Sequence, residues 1–141
     1  MFIEQLSIFL ENRLGRFTQI AKLFGENNIN MKAFTVSENA EFGVLHIIVS
    51  DPKKALGVLR ANSFAASINK VICLQTPDVP GELGKALEII SDAGVSVEYM
   101  YAYAQDTVAN VFIRPDNLEV CAAALKAAGY PDVTLEALNS K

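Results

Sequence analysis

The chain has little of the chemistry that metal sites and covalent catalysis need, since only one histidine and two cysteines occur among its 141 residues. A Ser-His-Asp triad would have to use His46, and a histidine-rich zinc site is excluded. Cys73 and Cys121 lie far apart, and neither has the nearby second cysteine of a metal or redox pair. We therefore predict that His46 lies on a strand face, that both cysteines are buried apolar residues, and that the protein has no metal and no cofactor.

Basic residues and long apolar runs are also scarce. The chain has 12 Lys and Arg against 16 Asp and Glu, a net charge of −4 and a pI near 5.0, with no basic stripe of the kind that neutralises phosphates. No apolar run approaches the roughly 18 residues of a membrane-spanning helix, and the first residues lack the features of a signal peptide. We expect a cytoplasmic protein with neither nucleic-acid nor membrane partners.

What the chain does contain is an internal repeat. Its 51% hydrophobic and 20% charged residues are typical of a well-packed globular protein. A shift of 66 residues places segment 12–17 (Asn-Arg-Leu-Gly-Arg-Phe) over segment 78–83 (Asp-Val-Pro-Gly-Glu-Leu). This repeat predicts two related domains, at 1–68 and 69–141. Because a unit of that size buries only roughly 60% of its unfolded surface, we expect the two copies to pack on each other.

Both copies begin with the pattern of a strand followed by a helix. Apolar residues alternate in segment 6–10 and again in segment 72–74, which indicates half-buried strands. A helical stripe follows in each copy, formed by Phe17, Ile20, Ala21 and Phe24, and by Leu83, Ala86, Leu87 and Ile90. Asn28 and Gly94 come next, and both residue types readily take the left-handed conformation that ends a helix.

The rest of each copy predicts a hairpin, a second helix and a last strand. The hairpins pair segment 31–37 with 42–49, and 97–103 with 108–114. The second helical stripe contains Ala55, Val58 and Leu59 in one copy and Cys121, Ala124 and Leu125 in the other, and Asp51 and Pro52 suit the start of the first of these helices. A last strand is expected at 133–137, and segment 65–72 must serve both copies.

Each copy therefore has the element order β-α-β-β-α-β. In this α+β pattern two right-handed crossovers place both helices on one face of a four-stranded antiparallel sheet. The predicted fold is ferredoxin-like, present twice in the chain and packed together.

The repeated loop suits an anionic ligand. Gly15 and Gly81 let the backbone approach a ligand closely, just before a helix whose first N–H groups lack internal partners. Such a helix start attracts a carboxylate. In the second copy Pro80 suits the first helical turn, and Asp78 can either cap the helix or accept hydrogen bonds from an ammonium group. The pair would suit a zwitterion, although the same residues also make an ordinary helix cap.

These segments carry a family resemblance. Segments 78–83 and 92–97 resemble the ACT domain, whose members sense small molecules, chiefly amino acids. Segments 11–15 (Glu-Asn-Arg-Leu-Gly) and 28–31 (Asn-Ile-Asn-Met) look like the Glu-Asn-Arg-Pro-Gly and Gly-Val-Asn-Ile segments of the regulatory ACT domains on phosphoglycerate dehydrogenase. The first copy differs at Leu14, where proline is usual. The resemblance extends over essentially the whole chain, as in small stand-alone tandem ACT proteins.

The resemblance implies a set of site residues. In that family both asparagines hold the effector, which implicates Asn12 and Asn30, while the backbone of the first helical turn takes the carboxylate. Asp78 and Ser96 stand at the equivalent positions of the second copy. The candidate ligand-binding residues are Asn12, Leu14, Gly15, Arg16, Phe17, Asn30, Met31, Asp78, Pro80, Gly81, Glu82, Leu83, Ser96 and Val97.

The resemblance also implies a function. In ACT assemblies the ligand commonly lies between two domains, so that Met31 or Val97 of a neighbouring domain would form the second wall. We expect a non-catalytic amino-acid sensor that forms a homodimer, and the sequence does not identify a regulated enzyme partner. Two alternatives stay open: a ligand-free scaffold whose sheet edges build an oligomer, and an acylphosphatase-like hydrolase in which Arg13 or Arg16 holds a phosphate.

Overall fold

Eleven elements follow one another along the part of the chain that the structure describes. A computed structural model describes residues 1–11, 13–38 and 42–140. The strands are β1 (Phe2–Glu11), β2 (Met31–Glu38), β3 (Phe42–Val49), β4 (Ala66–Pro77), β5 (Val97–Gln105) and β6 (Val108–Pro115). The helices are α1 (Arg16–Glu26), α2 (Pro52–Ala61), α3 (Glu82–Asp92), α4 (Leu118–Ala127) and α5 (Leu135–Asn139).

Helices α1 to α4 end in the same way. Each is followed by a residue with positive φ, and these are Asn28 (57°), Ser63 (66°), Gly94 (76°) and Gly129 (91°). The N–H of the next residue then donates to a carbonyl five residues earlier, as Ile29 N does to Phe24 O at 2.8 Å. This bond satisfies a carbonyl that the last helical turn leaves unpaired. The predicted helix ends at Asn28 and Gly94 are confirmed.

The starts of the helices fall into two kinds. Asp51 caps α2 by accepting a hydrogen bond from Lys54 N at 3.2 Å, with Pro52 as the first helical residue, as the sequence predicts. Asn117 caps α4 in the same manner. Helices α1 and α3 instead begin after Gly15 and Gly81, which provide no side-chain cap. The N–H groups of these two helix starts are thus left for other acceptors.

The chain divides into two units, and the first comprises Glu4–Asn69. Its strands lie in the order β2, β3, β1, followed by the start of β4, and Phe9 N donates to Ala65 O at 2.9 Å. Leu45 lies opposite both Ile8 and Val36 in the antiparallel register. Helices α1 and α2 cover a core that includes Leu6, Ile8, Ile20, Phe24, Leu45, Ile47 and Leu59.

The second unit comprises Lys70–Lys141 together with Met1–Ile3. Its strands lie in the order β5, β6, β4, followed by the start of β1, and Cys73 N donates to Met1 O at 2.9 Å. Ile113 lies opposite both Ile72 and Met100. The core under α3 and α4 includes Met1, Ile72, Leu74, Ala86, Ile90, Val111, Ile113 and Leu125.

The α+β, ferredoxin-like prediction is confirmed, but the strand predicted at 133–137 is wrong. Thr134 caps the short helix α5 there, accepting a hydrogen bond from Ala137 N at 3.2 Å, and Val133 and Leu138 are the buried residues. The fourth strand position of the second unit belongs to the start of β1, where the Met1 ammonium pairs with the Asp132 carboxylate. Strand β4 contributes residues to both units, as segment 65–72 was predicted to do.

Candidate functional site

The loop between β1 and α1 presents helix N–H groups at one end of the first unit. Gly15 is the N-cap of α1, with φ of 83° and ψ of 4°, in the left-handed region that glycine adopts at little cost. Arg16 N donates to Arg13 O at 3.4 Å, and the first helical bond runs from Gln19 N to Gly15 O at 3.0 Å. The two N–H groups between these bonds have no acceptor within the helix, so they form an attractive site for an anion.

A cavity of about 490 Å³ lies at this loop, within the size range of small-molecule sites. Its lining comes from the end of β1, the loop, the first turn of α1, and strands β2 and β3: Leu10, Glu11, Arg13, Leu14, Gly15, Arg16, Phe17, Thr18, Val36, Phe42 and Gly43. Four adjacent candidates from the sequence, residues 14–17, therefore lie together. Val36 and Phe42 were not predicted, because the pairing of strands distant in sequence brings them there.

Two arginines and one glutamate set the charge of the cavity. The Arg16 side chain is only 13% exposed, and its guanidinium carbon lies 4.2 Å from the centroid of the Phe64 ring. Its Nη atoms donate to Gln19 Oε1 at 2.9 Å and to Glu11 Oε1 at 3.4 Å, while its Nε has no hydrogen-bond partner in the described part of the chain. Arg13 Nε lies 3.1 Å from Glu11 Oε2. Two cations share one carboxylate, which leaves a net positive charge beside the helix start.

Apolar side chains form the rest of the cavity. Phe17 is half-buried, and its ring packs edge-on against Phe34 with 5.5 Å between centroids. Phe42 and Phe9 lie 5.6 Å apart in a tilted pair. Val36 on β2 is an exposed hydrophobic residue that also lines the cavity. The site therefore joins a cationic corner to an apolar surface, which is the combination that an amphipathic carboxylate requires.

The equivalent loop of the second unit has the same backbone. Gly81 is the N-cap of α3, with φ of 90° and ψ of −18°. Glu82 N donates to Val79 O at 3.3 Å, and Lys85 N donates to Gly81 O at 3.1 Å. The first helical residue has the opposite charge, however, because Glu82 occupies the position equivalent to Arg16. Glu82 forms an ion pair with Lys85 Nζ at 2.9 Å. Leu83 packs against the core of its unit, as Phe17 does in the first.

The expectation for Pro80 in this second loop is wrong, and the structure does not show one of the two roles left open for Asp78. Pro80 precedes the N-cap and so lies outside the first turn of α3, and Asp78 is not the capping residue. Asp78 instead donates its backbone N–H to Thr107 O at 2.9 Å. The helix begins after Gly81 because a glycine in the left-handed region reverses the chain there, a conformation that proline cannot adopt.

The remaining candidates lie at the far end of each unit. Asn30 N donates to Ser50 Oγ and Asn30 O accepts from Ser50 N, both at 3.0 Å. Ser96 makes the same pair of bonds with Asp116. Met31 packs on the core at this end, beyond the C-terminus of α1, roughly 16 Å from the loop if each of the helix's 11 residues rises about 1.5 Å. Within one unit Asn30 and Met31 are therefore separated from the cavity, and Val97 is placed like Met31.

Asn12 lies outside the described residues.

The two arginines of the cavity, Arg13 and Arg16, provide a test of the hydrolase alternative. Both Arg13 and Arg16 are within ion-pair distance of the Glu11 carboxylate, which would repel a phosphate placed between them. This arrangement favours a ligand that carries an ammonium group as well as an anion.

The single histidine belongs to a polar cluster in the first unit. Ser7 Oγ lies 3.0 Å from His46 Nδ1 and donates to Asn69 Oδ1 at 2.5 Å, and Gln5 Nε2 lies 3.3 Å from His46 Nδ1. Burial lowers the pKa of His46. Cys73 and Cys121 are buried thiols, as predicted, and burial raises the pKa of Cys73 to about 12. Across the described residues no group of three or more His, Cys, Asp and Glu side chains could hold a metal ion.

Comparison with known proteins identifies the family. A family model described as an ACT domain pair matches residues 1–127, so the chain belongs to this family. Protein BT0572 from Bacteroides thetaiotaomicron is similar over 100% of this chain and 98% of its own, with 44% sequence identity and a TM-score of 0.94. A search of curated proteins found no match. In the described residues, no helix is long and apolar enough to span a membrane.

Two more distant solved structures share the fold. The regulatory subunit of aspartate kinase from Thermus thermophilus, in its ligand-free form, has a TM-score of 0.63 at 13% identity, over 89% of this chain and 91% of that chain. The corresponding subunit from Thermus flavus has a TM-score of 0.60 at 13% identity, with the same coverage. The predicted resemblance to the ACT family is thus confirmed.

Proposed function

We propose that this ACT domain pair protein is a non-catalytic regulatory protein that binds a free amino acid at the loop between β1 and α1. One observation carries the proposal: the uncapped N-terminus of α1 opens, beside Arg16, into a cavity of about 490 Å³. The shared fold with the regulatory subunits of aspartate kinase supports a regulatory role.

The cavity contains a complement for both charges of an amino acid. The ligand carboxylate would accept hydrogen bonds from the first N–H groups of α1 and from the Arg16 guanidinium. Its ammonium group would lie beside Glu11, whose exposed carboxylate then exchanges a long contact with Arg16 for a contact with the ligand. Exposed ion pairs are worth only about 0–1 kcal/mol, so this exchange costs little.

Asn30 would take part from a second copy of the protein. The length of α1 separates Asn30 from the cavity of its own unit. A homodimer that brings the far end of one copy to the loop of the other would place Asn12 and Asn30 at one ligand. Binding would then favour the dimer, and a regulated enzyme in the cytoplasm would respond if it prefers the bound arrangement.

A thermal-shift screen of the protein against the twenty amino acids tests this proposal. A ligand at about 100 times its dissociation constant adds roughly 2.7 kcal/mol to the unfolding free energy, which raises the melting temperature by several degrees. Arg16→Ala should abolish the shift, whereas the matched variant Glu82→Ala in the second unit should retain it. A screen in which no amino acid moves the melting temperature would count against the function.

A further inference from the structure

We propose that the amino acid bound by the first unit has a large apolar side chain, an inference that rests on the function proposed above. Four apolar side chains from β1, α1, β2 and β3 line the cavity: Leu10, Phe17, Val36 and Phe42. The charged residues of the described lining are Glu11 at the end of β1, Arg13 in the loop and Arg16 at the first position of α1. A ligand bound by its carboxylate at that charged side would extend its side chain towards the apolar one.

The apolar residues discriminate by contact area. Phe17 and Phe42 are the two aromatic residues of the described lining, and their ring partners Phe34 and Phe9 are not part of it. Each methylene group that fills an apolar pocket raises affinity about tenfold or more. Glycine, alanine and serine would reach little of this surface and would leave much of the cavity to water. Phenylalanine, leucine and isoleucine would displace that water and contact the apolar residues of the lining.

The charges discriminate in the same direction. A lysine or arginine ligand would add a fourth cation to Arg13, Arg16 and its own ammonium group, and the single carboxylate of Glu11 already faces both arginines. Among the described residues of the lining, Thr18 is the only one whose side chain is polar and uncharged. The described lining therefore favours a ligand whose side chain is neither basic nor small and polar.

The second unit has the same fold but lacks the large apolar residues that line the cavity of the first. Ala102 lies opposite Val111 as Val36 lies opposite Leu45, and Val108 begins β6 as Phe42 begins β3. Thr76 takes the place of Leu10. All three replacements are smaller or more polar. The fold therefore does not require the large apolar residues of the first unit, which makes them a feature of this cavity rather than of the architecture.

Isothermal titration calorimetry of the full chain tests the ligand class with L-phenylalanine, L-leucine and L-isoleucine against glycine, L-serine and L-lysine. We expect the first group to bind at least tenfold more tightly than the second. Val36 is exposed, and Val36→Thr changes its shape little. This variant should weaken binding of the three apolar amino acids about tenfold, and Phe42→Val should do the same. The matched variants Ala102→Ser and Val108→Ala should leave binding unchanged, with circular dichroism confirming that each variant is folded.

The possible outcomes distinguish a failure of the apolar ligand class from a failure of the proposed amino-acid binding. Tight binding of glycine, serine or lysine alone would overturn the ligand class and leave an amino-acid sensor in place. Apolar binding that Arg16→Ala removes but Val36→Thr and Phe42→Val leave intact would also overturn it, since the side chain would then lie elsewhere. If no amino acid binds the folded wild-type protein, both the ligand class and the proposed function fail.

Discussion

The loops that begin α1 and α3 have the same backbone and opposite chemistry. Both turn through a glycine in the left-handed region, and both leave the first helical N–H groups without a side-chain cap. The next residue is Arg16 in one loop and Glu82 in the other. A carboxylate ligand is attracted by the first side chain and repelled by the second. We therefore expect the flanking side chains, rather than the shared backbone, to determine which copy binds an anion.

A second difference lies on the strands. Gln5, Ser7 and His46 form a hydrogen-bonded cluster in the first unit, and Ser7 lies opposite His46 in the register. At the equivalent positions, the second unit has three buried apolar residues, Val71, Cys73 and Phe112, with Cys73 opposite Phe112. The two units thus share their main-chain pairing while their side chains have diverged on the strands as well as at the loop.

The largest expected effect concerns the cores, where the units should behave alike. Phe24 and Ile90 occupy the same position on α1 and α3 and are both buried. Phe24→Ala should lower the free energy of unfolding by about 3–5 kcal/mol, and Ile90→Ala by about 2–5 kcal/mol, because each leaves a cavity in a packed core. Urea denaturation measures both. A loss below 1 kcal/mol at either position would mean that the site is not closely packed.

The charge difference between the loops should decide binding. Arg16→Glu gives the first loop the charge of the second, so an amino acid at about 100 times its wild-type dissociation constant should lose most of its roughly 2.7 kcal/mol of stabilisation. Ligand-dependent melting curves give this value. Glu82→Arg is the reciprocal control and should leave binding at the first loop unchanged. If Arg16→Glu binds as tightly as the wild type, the guanidinium does not hold the ligand.

The glycines should show the opposite result, namely equal effects in both loops. A Cβ added at Gly15 or Gly81 would meet no atom within 4 Å, so the cost of alanine comes only from its positive φ. Gly15→Ala and Gly81→Ala should each lower the free energy of unfolding by about 1–2 kcal/mol. Chemical denaturation of the two variants provides the comparison. A cost at one glycine only would show that the two loops do not share this conformation in solution.

The sequence predicts what is local and misses what depends on distant pairing. Asn28 and Gly94 mark helix ends because a left-handed residue acts within its own turn. The start of β1 could not be recognised as a strand of the second unit, since that pairing joins Met1 to Cys73. A last strand was expected at 133–137 because the element order ends in one, but Thr134 is the N-cap of helix α5 there.

The candidate site divides in the same way. The loop residues 14–17 follow from a motif that is continuous in sequence, and they lie together in the cavity. Val36 and Phe42 come to it through the register of β2, β3 and β1, which fixes which strand residues stand beside the loop. The 66-residue repeat could have identified Val36 and Phe42 from the sequence. It aligns Val36 with Ala102 and Phe42 with Val108, and in both pairs the first copy has the larger apolar residue.

The smallest expected effect comes from the polar cluster, where His46 should contribute a pH-dependent stability that Phe112, at the equivalent position of the second unit, cannot contribute. Burial lowers the pKa of His46 in the folded protein below its ordinary value of about 6.5. Below pH 6.5 the unfolded chain therefore binds more protons at this residue than the folded protein does, and the free energy of unfolding falls as the pH decreases. Urea denaturation between about pH 5.5 and 7.5 should show this slope in the wild type. His46→Gln should reduce it, because the carboxylates that titrate at lower pH are common to both proteins. The same slope in both proteins would show that a group other than His46 causes it.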